Sequence, residues 1–490
     1  MPAKTKIVKK VHAVWLHRDK TGTAGSTTLT AAAAAGATTL TVSAITNFAD
    51  TETIRVGAGE EMELAKISGA PAGSVITLAS PLTYAHAVGE AVVEQTTYDV
   101  GDIEGGGVSV RHQGQSTDVA VATKRLAYTI LNGFSDLSAE FRLPGLSLYS
   151  FAHATGMLLS AITGAGTVAN PYNLTTDGNQ FNGDTNLGLT AICELLDGTY
   201  VAIELWGVDI DYTGIDLQLV RGVLASIPVK AIASAGGLAT TTLPTYVLDT
   251  TNRPDKGFVF DALSEVGIFV PETVTAGSST VANTIAAAAQ KVIEVAATTN
   301  FVAGEVVKVN TGDLAEYHEI DAILVTPARL QLRTPLFRSQ AIGTAVVEYK
   351  RQIFGGISPD GVRLAVGGSV EPLRLGVRRM GIGIRPGAAT ITLSTSLVDQ
   401  TLPNLAYALA IAQSQISGTR LPITSSNIGG SAIDGAYLKG ILQNGRTAEA
   451  RVWGCSQQIT DFLSQWQQTG IPGLALTLRP GSGLMLLQYA

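Results

Sequence analysis

Only two cysteines, Cys193 and Cys455, occur in 490 residues. They are too few for a disulfide framework and lack the paired spacing that grips zinc, so both read as small core residues. Charge is scarce as well: Asp, Glu, Lys and Arg make up 15 % of the chain against 46 % hydrophobic residues. A surface so poor in charge suits a subunit that buries much of it in an assembly, or else a well-packed monomer with a quiet exterior. The net charge of −7 is not the basic footprint of a protein that grips phosphate. Tight DNA binding is disfavoured, although DNA can pass an acidic wall without sticking to it. No apolar run approaches the roughly 18 to 20 residues of a membrane helix, Leu405 to Ala412 being among the longest. Lys4, Lys6, Lys9 and Lys10 open the chain, but Val11 to Trp15 is interrupted by His12 and ended by His17, so no secretion-signal core follows. The expectation is a soluble chain made in the cytoplasm, with no membrane partner.

The motifs of common chemistries are missing too. There is no Gly-x4-Gly-Lys-Ser/Thr loop for nucleotide phosphates, no His-Glu-x-x-His, no Cys-x-x-Cys and no Gly-x-Ser-x-Gly. His12, His17, His86, His112, His153 and His318 show no spacing that builds a metal site on one element. The run from Asp177 to Asp184 carries oxygen side chains at near-alternate positions, which fits either a solvated turn or a Ca²⁺ loop without the EF-hand spacing. No catalytic residue, metal or cofactor is expected, and an enzyme is a minority reading.

What the sequence does contain is itself, twice. Leu40 to Glu94 realigns on Ile293 to Glu348 at a constant offset broken by one single-residue adjustment. Identities include Val42 with Val295, Thr46-Asn47-Phe48 with Thr299-Asn300-Phe301, Glu63 with Glu316, Pro81-Leu82 with Pro335-Leu336, and Ala91 to Glu94 with Ala345 to Glu348. Self-similarity of this kind decides architecture before any local reading. Further on, Leu195 to Gly207 lies without a gap over Leu442 to Gly454. Both stretches read as hairpins: Asp197-Gly198 and Asn444-Gly445 supply φ > 0 for a two-residue turn, and each hairpin ends in Trp-Gly, at Trp206-Gly207 and Trp453-Gly454. Each half opens with a strand, Val11 to Trp15 and Val266 to Val270, takes an inserted module, and resumes.

Within the first module Thr39 to Ser43, Thr53 to Val56, Met62 to Ile67, Val75 to Leu78 and Ala91 to Glu94 are short, β-branched and punctuated by Gly, Pro and Asn, which predicts a small antiparallel β-domain. The flanking sequence is mainly strand, with one amphipathic helix per half over Leu146 to Leu159 and Leu402 to Ile416. The predicted division is 1–25 plus 96–235 for a first parent domain, 26–95 for its insert, 236–255 for a Gly- and Thr-rich linker beginning in the stretch Ala231 to Thr245, 256–275 plus 350–490 for a second parent domain, and 276–349 for its insert. Asp209 and Asp211 share one strand face opposite Val208, Ile210 and Tyr212. They form either an acidic row along a channel or a solvated hairpin face. Arg111 to Arg125 (with Gln113, Gln115, Asp118, Lys124 and Arg125) and Arg363 to Arg379 (with Glu371, Arg374, Arg378 and Arg379) are unusually polar for this chain and differ between halves; they read as long loops or as hairpins within one domain.

A β-rich domain with one helix, built around a hairpin ending in Trp-Gly, resembles the tail tube proteins of long-tailed bacteriophages. The resemblance is most specific at Val100 to Val110, Arg111 to Arg125 and Tyr200 to Val208, and through the repeat it covers nearly the whole chain. It implies mainly β architecture: two β-sandwich domains, each with one packed α-helix and each carrying an inserted small β-domain, contributing to a closed β-barrel ring. It further implies homotrimeric rings of pseudo-sixfold symmetry stacked into a hollow virion tail assembled in the host cytoplasm. DNA would transit without sequence-specific binding, and tape-measure and terminator or baseplate proteins would be partners. In that family the long loop at the position of the two polar segments reaches the adjacent ring, which would make their residues ring-stacking contacts. The minimal tube protein has no insert. Competing readings are a surface or fibre protein of repeated β-sandwiches and a β-sandwich carbohydrate-active enzyme.

Overall fold

The computed structural model describes residues 8–489 except 59–60, 102, 106, 121–126, 146, 185, 221–225, 242–247, 250–259, 273–275, 283–284, 355, 374–382, 399–400, 425–432 and 459–473. The chain is mainly antiparallel sheet, with two short α-helices among these residues. In the first half β1 (Val8–Asp19) precedes β2 (Ser26–Thr28), β3 (Thr39–Thr41), β4 (Thr53–Val56), β5 (Glu63–Lys66), β6 (Val75–Thr77) and β7 (Ala91–Asp99). Then come β8 (Ser109–Ala120), β9 (Ala127–Pro144), α1 (Leu148–Thr155), β10 (Tyr172–Thr176), β11 (Leu187–Leu195), β12 (Tyr200–Ile210), β13 (Ile215–Leu219), β14 (Ser226–Thr241) and β15 (Leu248–Asp249). The second half runs β16 (Phe260–Pro271), β17 (Ser278–Thr280), β18 (Val292–Glu294), β19 (Val306–Val309), β20 (Glu316–Val325), β21 (Ala328–Leu332) and β22 (Ala345–Ile353). It continues with β23 (Ile357–Leu373), β24 (Gly383–Leu397), α2 (Leu402–Ala408), β25 (Gly435–Leu442), β26 (Thr447–Gln458) and β27 (Leu474–Tyr489).

Two large sheets result. The first has the order β5-β4-β7-β1-β11-β12-β14-β9-β8, and the second contains the order β20-β19-β22-β16-β25-β26-β27-β24-β23. Strand for strand along the chain, these are the same path. Neither sheet closes into a barrel among the described residues.

Residues of each insert surround a core of their own. The first core contains Leu40, Val42, Phe48, Ile54, Val56, Ile67, Ile76, Leu78, Leu82 and Val92. The second contains, in the same sequence, Ile293, Val295, Phe301, Val307, Val309, Ile320, Leu330, Leu332, Leu336 and Val346. These are the positions that the sequence self-alignment superimposes, so the repeated letters are the buried ones. Apart from the two-stranded sheet β3–β6, the inserts are continuous with the parent sheets: β7 pairs β4 and β2 through Ala91–Glu94 and then β1 through Gln95–Asp99, carrying one strand from insert to parent.

Both parent units share a third core. It takes alternate residues of β1 (Val14, Leu16), β11 (Leu187, Leu189, Ala191) and β14 (Ile227, Val229, Ala231, Ala233), together with Phe151 of α1 and Leu364 and Leu393 of the second half. The helices are shorter than their periodicity predicts. α1 is capped by Ser147, whose Oγ accepts from the Ser150 N–H at 2.9 Å, and stops at Gly156, which adopts φ +65°. α2 carries Pro403 in its first turn and stops before Ala410 at φ +50°.

One predicted boundary is corrected. The stretch 236–241 is not linker but the end of β14, paired with β12 from Leu205↔Gly236 to Tyr200↔Thr241. Gly236 serves close packing: a Cβ there would sit 2.7 Å from the Glu204 carbonyl oxygen. Glycine content was read as flexibility where it marks tight backbone approach.

Candidate assembly interface

The hairpins that the sequence singled out are present in both halves, with a different turn. Leu195 N–H donates to Thr199 O (2.8 Å) and Gly198 N–H to Leu195 O (3.0 Å); Leu442 and Gly445 repeat the pattern with Arg446 O (2.8 Å) and Leu442 O (2.8 Å). Gly198 and Gly445 alone take positive φ, both +79°. The connections are therefore three-residue loops, a turn followed by a left-handed glycine, rather than the two-residue turn expected. Asp197 Oδ1 and Asn444 Oδ1 fasten these turns by accepting the N–H of Thr199 and Arg446, each at 3.0 Å.

Trp-Gly marks a β-bulge. Gly207 and Gly454 adopt φ +56° and +61°, and the register shifts there by one residue, from Gly188↔Trp206 to Leu187↔Val208 against β11 and from Trp453↔Gly483 to Cys455↔Pro480 against β27. The bulge turns each tryptophan away from the shared core and towards the insert. Trp206 packs with Met62, Leu64 and Tyr84, and Trp453 with Tyr317, Val306 and Phe269. Trp453 is fully buried. Each insert is thus seated on its parent sheet by the tryptophan of the hairpin.

Beside Trp453 lies a buried charge network that sequence reading missed. Glu449 Oε1 accepts from Arg451 Nε at 2.6 Å and Arg351 Nη2 at 3.1 Å, while Glu319 Oε2 lies 3.1 Å from Arg351 Nη2 and 3.4 Å from Arg451 Nη2. Burial pushes the Glu449 carboxyl up, but Arg451 and Arg351 outweigh it and hold the group below the usual carboxylate range. At the place of Arg451 the first half has Glu204, whose carboxyl burial pushes up. One scaffold therefore carries unlike charge in its two copies.

The two sheets are interlocked. β10 leaves the first half to pair β27, from Tyr172↔Gln488 to Thr176↔Leu484. β13 does the same at the edge strand β23, from Ile215↔Val366 to Leu219↔Val362. Ile215, Leu217 and Leu219 are buried while Asp216 faces out, where its carboxylate takes a two-pronged pair of bonds from Arg363 Nε (2.5 Å) and Nη2 (2.6 Å).

The acidic row is not a row. Asp209 and Val208 do alternate, and Asp209 Oδ1 accepts weakly from Asn182 Nδ2 at 3.4 Å. Asp211, just past β12, is 3 % exposed, bound by Lys230 Nζ at 2.6 Å and by the Thr213 N–H at 3.0 Å. Its place after the strand end lets it turn inward against β14. Of the polar segments, Gln113, Gln115 and Asp118 lie in β8 and Glu371 in β23, so these parts are arms of the hairpins β8–β9 and β23–β24 rather than open loops. Lys124, Arg125, Arg374, Arg378 and Arg379 lie outside the described residues.

The loop from Asp177 to Asp184 spends its carboxylates on arginines: Asp177 Oδ2 lies 3.1 Å from Arg338 Nη2 and Asp184 Oδ2 2.5 Å from Arg18 Nη1. Among the described residues no three His, Cys, Asp or Glu side chains converge as a metal site needs. Cys193 and Cys455 are buried free thiols, and burial pushes both upward. No helix among these residues is long and apolar enough to cross a membrane. No protein-family model matches the chain, and no curated protein is significantly similar to it.

Proposed function

We propose that the chain is a non-enzymatic structural subunit of the tail tube kind: two fused, duplicated tube domains per chain, three chains per pseudo-sixfold ring, and rings stacked into a hollow virion tail through which DNA passes. The observation that carries this reading is the interlock of two sheets of identical strand order, in which one half lends β10 and β13 to the other. Two like units joined by unlike surfaces form a head-to-tail contact, and such contacts propagate into rings when the rotation closes. Fusing two units makes half of the contacts in a six-unit ring intramolecular, which removes part of the association cost of roughly 4 to 15 kcal/mol per event. The sparse charge fits surfaces buried between neighbouring subunits, and the net −7 fits a channel wall that repels DNA. Tape-measure and terminator or baseplate proteins are the partners this role requires.

Native mass spectrometry of the purified chain tests the reading, with three copies per ring expected. Six copies per ring would refute the two-domain assignment. Elongated rods in negative stain would favour a repeated β-sandwich fibre instead, and compact monomers would remove the assembly altogether.

A further inference from the structure

Resting on the ring reading, we propose that the first half carries two open strand positions that are covered in the assembly by the second half of a second copy of this chain. Trp206 pairs Ala235 and Trp453 pairs Gly483, so counting along the following residues sets Leu238 of β14 where Leu486 stands in β27. Leu486 is 5 % exposed because β10 lies beside it, Leu174 opposite. Leu238 is 77 % exposed, and no described strand pairs 236–241 on the side away from β12.

The second position is reached across the sheets. Ile210 pairs Ala231, which pairs Ala139, which pairs Val110; Gln457 pairs Leu478, which pairs Leu393, which pairs Leu364. Ile210 and Gln457 stand at the same distance beyond their tryptophans, so Val110 of β8 holds the place of Leu364 of β23. Leu364 is fully buried under β13, opposite Leu217, whereas Val110 and its neighbour Val108 are only partly buried and β8 ends the first sheet. Twice, then, a position covered in the second half is open in the first, and both covers come from the first half.

An open edge with an exposed leucine invites strand pairing, and a chain that leaves it so is matched to a specific occupant. The occupant we assign is the second half of another copy, because its like-ordered sheet meets the same kind of edge. The pattern is head-to-tail: every first half receives what it gives within its own chain.

The test uses full-length Leu238→Glu and Val110→Glu, with Val325→Glu on the exposed turn of the second insert (76 % exposed) as control. Native mass spectrometry across a dilution series should show both edge variants needing at least about tenfold more protein for half-assembly, the loss of one buried aliphatic contact, while the control assembles as wild type. Hydrogen exchange should show the amides of 108–112 and 236–241 slowed in assembled wild type relative to its dissociated chain, a reading that stands even if a variant folds poorly. Wild-type rings whose exchange at both stretches is unchanged by assembly would overturn this inference and leave the ring reading intact. A wild-type chain that stays monomeric at all concentrations would overturn the ring reading itself.

Discussion

Replacing Glu449 by alanine removes the centre of the buried charge network and leaves Arg451, whose side chain is 2 % exposed, and Arg351 to share Glu319, which Arg333 also engages. Removing one partner of a buried pair costs about 3 to 5 kcal/mol because a charge is left without compensation. Glu319 still reaches both arginines, at 3.1 and 3.4 Å, so the expected loss lies at the lower end, about 3 kcal/mol. For a cooperative unit the size of one half, this corresponds to a fall in Tm of about 6 to 12 °C. Urea denaturation and thermal circular dichroism at pH 7 measure it. The double variant Glu449→Leu with Arg451→Met replaces the pair by apolar volume and should recover most of the loss. The sign with pH follows from the depressed Glu449 carboxyl: its stabilisation is present above the ordinary carboxylate value and is lost as pH falls through the lower folded value. Wild type should therefore lose its advantage over the double variant in acid. A single variant that loses less than about 1 kcal/mol, or a double variant as unstable as the single, would refute the reasoning.

In the first insert His86 lies 2.9 Å from Glu63 Oε1 and 2.7 Å from Glu90 Oε2; burial lowers the imidazole, but the two carboxylates raise it overall, while Glu63 is held low against burial by His86 and two backbone N–H groups. The histidine's contribution is complete below its ordinary value of 6.5 and lost as pH rises through the raised one. The Glu63 contribution is lost as pH falls through its depressed value. Since Gln340 holds the matching place in the second insert, 2.6 Å from Glu316 Oε1, His86→Gln should abolish the decline above pH 6.5, and an unaltered pH profile would count against the pair. Gly454→Ala would place Cβ 2.0 Å from Ser482 Oγ at φ +61°, whereas Gly445→Ala meets nothing within 4 Å. The first should lose at least about 1 to 3 kcal/mol beyond the second in chemical denaturation, and equal losses would remove the bulge from the packing argument. Leu40→Ala, at a fully buried position, should cost about 2 to 5 kcal/mol. Hydrogen exchange should rise in the first insert while β11 and β12 stay protected; equal loss in both would show one cooperative unit.

Much of the architecture was legible because the buried positions repeat. Leu40 with Ile293 and Phe48 with Phe301 match both in the sequence alignment and in their cores. The strands of the inserts were readable from alternation for the same reason. Destination was not: Ile215, Leu217 and Leu219 announce a strand with one buried face, yet nothing local says that it joins β23 instead of its own sheet. The charge network was invisible because Glu319, Arg351 and Glu449 are distant in sequence and meet only through pairing. Gly236 misled because close packing and flexibility call for the same residue. Asp211 misled because alternation was carried past the end of its strand.

The shared strand β7 makes each insert a lever rather than an ornament. Because Ala91–Glu94 are tied to β4 and β2 and the next five residues to β1, a tug on the first insert along this strand loads both ladders in shear, where bonds must yield together rather than one at a time. β22 makes the same splice in the second half, joining β17 and β19 to β16. Force applied to either insert would therefore pass directly into its parent sheet through one continuous strand.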